Sequence, residues 1–153
     1  MRVFCEALQE LHQGLPLILA GFSQGGMLAC DSILLGSLRA SGLVLMSSSR
    51  IAIKEWRPHL PAVKGLPVLV AHGLHDRELS IHAGENLRDM LLEGGAEVTW
   101  LSFDGGHDIP LPVWRQFRRF AMGILRTHLS FPDPGTSVPD HGPRGSSGRT
   151  PTA

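Results

Sequence analysis

Short runs of hydrophobic residues recur along the chain, each about as long as a β-strand. They lack the strict alternation of a half-exposed strand, which is typical of strands buried on both faces of a parallel sheet. The pattern predicts four strands, at Leu15–Ala20, Gly42–Met46, Leu66–Ala71 and Glu97–Ser102.

Between and after these runs, hydrophobic residues recur every three or four positions, as on one face of an amphipathic helix. We predict helices at Gln24–Leu38, from just after Ser80 to Gly94, and at Pro112–His128. Serine is a favourable N-cap, and glycine commonly ends a helix. Because strands alternate with helices, the sequence predicts an α/β protein with a parallel sheet and right-handed crossovers.

The segment Arg50–Lys64 fits neither period, and two interpretations remain open. Its position after a strand suits an irregular excursion above the sheet, where it would shape a pocket at the carboxyl ends of the strands. Alternatively, it is a connecting loop packed by Trp56.

Composition narrows the class of protein. The 153 residues suit one domain, and 42% hydrophobic with 18% charged residues exclude a wholly disordered chain. A formal net charge of +0 argues against a nucleic-acid binder. The longest apolar stretch, Leu15–Phe22, is far shorter than the roughly 20 residues of a membrane span. Two cysteines and no signal-like amino terminus predict a soluble cytoplasmic protein.

The composition changes once, near residue 130. From there to Ala153 the chain is almost entirely Pro, Gly, Ser, Thr and isolated charges. Such a segment has too little apolar area to offset the entropy of ordering. We therefore predict a folded domain at residues 1–129 and a disordered tail at residues 130–153.

The strongest chemical signal is the segment Gly21–Gly26, GFSQGG, which follows a predicted strand and opens a predicted helix. It matches G-x-S-x-G, the nucleophile elbow, in which a sharp turn projects the serine hydroxyl into a cleft. The backbone N–H of the next residue then points where an oxyanion forms. The pattern predicts Ser23 as a nucleophile, although Ser23 could instead only cap the helix.

A serine nucleophile needs a base that is oriented by an acid, and in this fold class the chain order is Ser, Asp or Glu, then His. Asp76 follows the third predicted strand, and His107 follows the fourth within a glycine-rich loop. All three side chains would lie at the carboxyl ends of parallel strands, where they could converge. Position selects His107 from the eight histidines of the chain.

Other candidates carry weaker signals. Asp104 and Asp108 are too near His107 in sequence to be the orienting acid. His72 is expected to be a structural hydrogen-bonding residue, and a metal site built from His72, His75 and Asp76 has little support. Cys30, within an apolar helix, is expected to pack in the core, and Cys5 has no visible activating partner.

Three segments together resemble the phospholipase/carboxylesterase family of α/β-hydrolases, which includes acyl-protein thioesterases. These are GFSQGG, LPVLVAHGLHD and SFDGGHDIP, and the likeness extends from about Gln9 to Leu129. It implies an α/β-hydrolase fold that cleaves small-molecule acyl esters or thioesters without a cofactor or metal. It also implies Ser23 as nucleophile, Asp76 as orienting acid, His107 as general base and acid, and the Gln24 N–H as an oxyanion donor.

The chain departs from that family at its amino terminus. Members normally carry several strands and a loop with a second oxyanion donor before the elbow, and this chain starts within the helix that precedes the nucleophile strand. The strand Leu15–Ala20 would then have an unpaired apolar edge, a site for self-association or a partner. We therefore expect a truncated reading frame, or a genuine Met1 with that edge covered.

Two rival functions follow from these features. One is a non-catalytic hydrolase remnant that binds a partner through the exposed edge. The other is a lipid-handling protein that contacts membrane surfaces through the helix at Arg115–Arg126.

Overall fold

A computed structural model of the chain describes residues 2–12 and 14–129. The predicted tail, residues 130–153, lies outside the described residues. In chain order the elements are α1 (Arg2–Leu11), β1 (Ile18–Phe22), α2 (Gln24–Leu34), β2 (Gly42–Met46), α3 (Ile53–Trp56), a 3-10 helix (Arg57–Val63), β3 (Pro67–Gly73), α4 (Ile81–Glu93), β4 (Glu97–Phe103) and α5 (Leu111–Leu129).

The four strands form one parallel sheet in the order β1-β2-β3-β4. The predicted parallel α/β architecture is therefore confirmed. The first strand differs from its prediction: it begins at Ile18 rather than Leu15 and continues to Phe22. Pro16 has no N–H to donate to a ladder, and Phe22 remains in register with Met46. The strand thus leads directly into the turn at Ser23.

Helix α2 ends at Leu34, four residues before the predicted end at Leu38. The amides of Leu35 and Gly36 both donate to the Asp31 carbonyl, which closes the last turn. Ser37 then adopts a positive φ of 57°, which an α-helix cannot accommodate. Hydrophobic periodicity continues past this point, so it did not reveal the break.

The segment Arg50–Lys64 is a packed connection between β2 and β3. It contains α3 and the 3-10 helix, and its Trp56 is fully buried. The Trp56 indole Nε1–H donates to the Asp31 carboxylate of α2 at 2.9 Å. Leu60 and Val63 also join the core. This segment therefore serves as the crossover helix between β2 and β3.

The core lies on both faces of the sheet. On one face, α2, α4 and the segment around Trp56 cover β2 and β3 through Leu43, Leu45, Val68 and Val70. On the other face α5 covers the sheet, and the residues buried there are Val44, Met46, Leu69, Ala71, Phe103 and Val113. Burial on both faces explains why the two central strands, β2 and β3, read as continuous hydrophobic runs.

Strand β1 forms one edge of the sheet and, within the described residues, pairs only with β2. Its Ala20 is exposed, and Ile18 and Leu19 are half-buried. No helix among residues 2–12 and 14–129 is long and apolar enough to span a membrane.

Candidate active site

Ser23 occupies a sharp turn between β1 and α2. Its φ of 52° and ψ of −120° lie in a region that non-glycine residues rarely adopt, so the backbone is strained there. The Ser23 amide donates to the Met46 carbonyl at 2.8 Å, which ties the turn to the neighbouring strand. The Ser23 side chain makes no capping hydrogen bond to α2. The hydroxyl is therefore not committed to the helix, as the alternative interpretation required.

The glycines around Ser23 are required by crowding at two positions. A Cβ on Gly21 would overlap the backbone of Gly25, and a Cβ on Gly26 would lie 2.7 Å from the Ser48 hydroxyl. A Cβ on Gly25 would meet nothing within 4 Å. The close backbone approach at this turn thus explains the first glycine of the motif but not the second.

Replacing Gly21 with alanine should destabilise the fold. The added methyl group has no space against the Gly25 backbone, and forcing extra volume into a packed site typically costs about 1–3 kcal/mol. The free energy of unfolding from urea titration measures this loss. Gly25→Ala is the matched control, because the space beside Gly25 is open. Equal stabilities of the two variants would contradict the crowding explanation.

Asp76 lies in the loop that follows β3, and its side chain is fully buried. Its Oδ1 accepts hydrogen bonds from the backbone N–H groups of Glu78 and Leu79, both at 2.9 Å. Its Oδ2 lies 2.7 Å from Nδ1 of His107. Burial acts to raise the pKa of Asp76, but these hydrogen bonds outweigh it and hold the pKa below the ordinary value of 3.8. Asp76 is therefore an ionised acceptor at neutral pH.

His107 lies in the loop that follows β4, and its ring packs against the ring of Phe22 with 4.7 Å between centroids. Phe22 immediately precedes Ser23, so the imidazole lies beside the elbow. Its Nδ1 faces Asp76, and its Nε2 is 3.8 Å from the exposed Glu78 carboxylate. Within the described residues, no hydrogen bond joins Ser23 to His107. Hydrogen bonds between catalytic groups often tighten only when substrate is bound.

Gln24 is the first residue of α2. The first amides of a helix have no preceding turn to accept their hydrogens, and they carry the positive end of the helix dipole. Its backbone N–H, next to Ser23, is therefore suited to an anionic oxygen.

Two other histidines that lie near Asp76 in sequence, His75 and His82, are exposed and pair with other carboxylates. His75 pairs with Asp104 on the surface at 3.1 Å, and His82 pairs with Glu85 at 2.7 Å. Cys30 is buried, and burial raises the pKa of its thiol to about 12, which suits core packing. Across residues 2–12 and 14–129, no group of three or more His, Cys, Asp or Glu could hold a metal ion.

Two contacts of the site were not predicted from sequence: that of Glu78 with His107, and that of His72 with Asp76. Glu78 places a carboxylate near Nε2 of His107, and nothing in its sequence context singles it out. His72 was predicted to make structural hydrogen bonds, and its Nε2 does bond the Leu79 carbonyl at 2.8 Å. The same Nε2 also lies 3.5 Å from Oδ2 of Asp76, which links it to the site.

A family model described as phospholipase/carboxylesterase matches residues 8–121. The chain belongs to the phospholipase/carboxylesterase family. The resemblance carried by the three sequence segments and the α/β-hydrolase fold are thus confirmed.

The chain is also similar to curated proteins and to solved structures. The chain is 29% identical over 106 residues to acyl-protein thioesterase 1 of Neurospora crassa, covering 65% of this chain and 43% of that protein. It is 28% identical over 123 residues to a probable carboxylesterase of Oryza sativa subsp. japonica, and the match covers 79% of this chain and 52% of that protein. The crystal structure of Arabidopsis thaliana SOBER1 superposes on this chain with a TM-score of 0.66 at 26% sequence identity, and the match covers 80% of this chain and 61% of SOBER1. The chain thus spans about half the length of these curated relatives.

Proposed function

We propose that the chain carries the catalytic triad of a serine hydrolase that cleaves carboxylic esters or thioesters. The observation that best supports this is the 2.7 Å hydrogen bond between the buried Asp76 carboxylate and His107, beside the strained turn at Ser23. Acyl transfer requires an acid, a base and a serine nucleophile close together, and here Asp76, His107 and Ser23 all lie at the carboxyl ends of the strands. Family membership and the names of the relatives, a thioesterase and a probable carboxylesterase, support the same reaction class.

In the proposed reaction, the Ser23 hydroxyl attacks the acyl carbonyl while Nε2 of His107 accepts its proton. The new oxyanion accepts a hydrogen bond from the Gln24 N–H, and Asp76 stabilises the imidazolium. His107 then donates the proton to the leaving alcohol or thiol, which departs as the acyl-enzyme forms. Water, deprotonated by the same imidazole, attacks the acyl group, and the acid leaves as Ser23 regains its proton. No cofactor or metal enters this scheme.

The rate of this reaction depends on how many donors face the oxyanion. The described residues offer one candidate donor beside Ser23, the Gln24 N–H, and removing one donor from such a site typically lowers turnover about 10²–10³-fold. Formation of a covalent adduct is therefore a more sensitive test than turnover of a slow substrate.

A fluorophosphonate probe should label the protein at Ser23, because the activated hydroxyl attacks phosphorus as it attacks an acyl carbon. Peptide mass spectrometry of the adduct identifies the residue. Heat-unfolded protein is the control, since it keeps the serine but loses His107 and Asp76 around it. Labelling at a different residue, or equal labelling after unfolding, would contradict the proposal.

A specific observation favours one alternative, a non-catalytic protein that binds a second copy or a partner through β1. Strand β1 pairs on one side only within the described residues, and its Ala20 is exposed. Unpaired strand edges are templates for association. This alternative would be favoured if the fluorophosphonate probe failed to label the protein and sedimentation showed a dimer whose fraction rises with protein concentration.

Cytoplasmic location stays a prediction. Cys5 and Cys30 are both free and buried, which supports a reducing compartment.

A further inference from the structure

We propose that His72 is a positioning residue of the site: a buried imidazole that holds the loop carrying Asp76, so that the carboxylate stays aligned with His107. The inference rests on the proposed function, since it assigns a role within that triad. His72 itself contacts neither the reacting serine nor a substrate in this scheme.

The hydrogen bond that His72 makes to Leu79 identifies Nε2 as a donor. His72 is the penultimate residue of β3, and its side chain is fully buried. Its Nε2 lies 2.8 Å from the carbonyl oxygen of Leu79. A carbonyl oxygen only accepts, so Nε2 must carry the hydrogen and donate it. The Nε2–H therefore ties the end of the Asp76 loop to the rigid end of β3.

Leu79 connects His72 to the Asp76 carboxylate through two hydrogen bonds. Leu79 accepts from His72 through its carbonyl and donates through its N–H to Oδ1 of Asp76 at 2.9 Å. The same Nε2 of His72 lies 3.5 Å from Oδ2 of Asp76, the oxygen that bonds His107. The partly positive Nε2–H group thus lies close to the oxygen on which the orientation of His107 depends. Loss of the donor would release Leu79 and alter the angle of the carboxylate.

The other side of the ring is fixed by packing. A Cβ on Gly84 of α4 would overlap Nδ1 and Cγ of His72, so the helix backbone lies directly against the ring. Nδ1 is buried and has no hydrogen-bond partner within the described residues. A buried polar atom without a partner, such as this Nδ1, is destabilising, and an apolar side chain at the same position would avoid that cost. Packing alone therefore does not account for histidine here, whereas the Nε2–H donor does.

The test compares His72→Gln with His72→Asn. The glutamine amide nitrogen reaches about as far as Nε2 and keeps the donor, whereas asparagine is one methylene shorter and loses it. We expect His72→Asn to lower kcat about 10–100-fold with KM unchanged, the range typical of outer partners that orient metal-bound imidazoles. His72→Gln should recover most of that loss. Met90→Ala, a buried change in α4, is the control for lost stability alone and should leave kcat unchanged.

A second measurement is independent of turnover. The proton shared by Nδ1 of His107 and Asp76 should give a far-downfield NMR signal in the unmodified chain and in His72→Gln, and a weakened or shifted one in His72→Asn. Equal kcat and identical signals in the two variants would overturn the positioning role. If the unmodified chain shows the signal but hydrolyses nothing, the proposed function fails while the positioning role is still decided by the signals.

Discussion

Ser23→Ala should abolish ester hydrolysis by the chain, with an initial rate about 10⁶-fold lower, as for other triad hydrolases that lose their serine. Alanine has no oxygen to attack the acyl carbonyl, so no acyl-enzyme can form. His107 and Asp76 would then act without a nucleophile, which explains why triad members fail as a unit. Hydrolysis of nitrophenyl esters of several acyl lengths, followed by released nitrophenol, measures the loss.

The Ser23→Ala protein is expected to fold normally. The Ser23 side chain does not cap α2, so its removal leaves no backbone donor unpaired, and the strained φ of 52° is as accessible to alanine as to serine. Ser37→Ala is a matched control, because Ser37 is an exposed serine with a similar φ of 57° away from the site. A Ser23→Ala rate within tenfold of the unmodified chain would refute the nucleophile assignment.

The two central strands, β2 and β3, were predictable because burial on both faces imposes uninterrupted hydrophobic runs, as in Val68–Ala71. Element ends were less predictable, because they depend on single backbone hydrogen bonds. Pro16 delays β1, and the turn at Gly36 ends α2 while the hydrophobic spacing continues. The helices at Arg50–Lys64 were also not predicted, because the segment lacks helical periodicity; there Trp56 is buried and donates a hydrogen bond to Asp31.

The candidate triad was predictable for a different reason. Parallel strands end on the same side of the sheet, so residues that directly follow β1, β3 and β4 all lie at the carboxyl ends of the strands. That rule selects Asp76 and His107 without any knowledge of side-chain contacts, and the 2.7 Å bond between them agrees with it. The link from His72 to Asp76 was beyond sequence reasoning, because it depends on how the loop folds back and on how closely Gly84 approaches.

Asp76→Asn should lower kcat about 10⁴-fold, the second-largest loss expected at this site, with KM little changed. In the unmodified chain, Oδ2 of Asp76 only accepts, so Nδ1 of His107 carries the hydrogen and Nε2 is free to accept the serine proton. An asparagine amide facing Nδ1 donates instead, which favours the tautomer with hydrogen on Nε2. The base would then be in place but unable to take the proton. Steady-state kinetics on the same nitrophenyl esters measure the loss.

The pH dependence of stability separates this electrostatic effect from misfolding. Because the pKa of Asp76 lies below 3.8, its carboxylate stabilises the fold above that pH and loses this contribution as pH falls through the lowered pKa. The Asp76→Asn variant should therefore be less stable than the unmodified chain in urea at neutral pH, and the difference should shrink in acid, where both side chains are neutral. Asparagine still offers an oxygen to the amides of Glu78 and Leu79, so the loop should persist. A difference that stayed constant with pH would mean that the substitution disturbs packing rather than charge, and the 10⁴-fold loss could then not be assigned to the tautomer of His107.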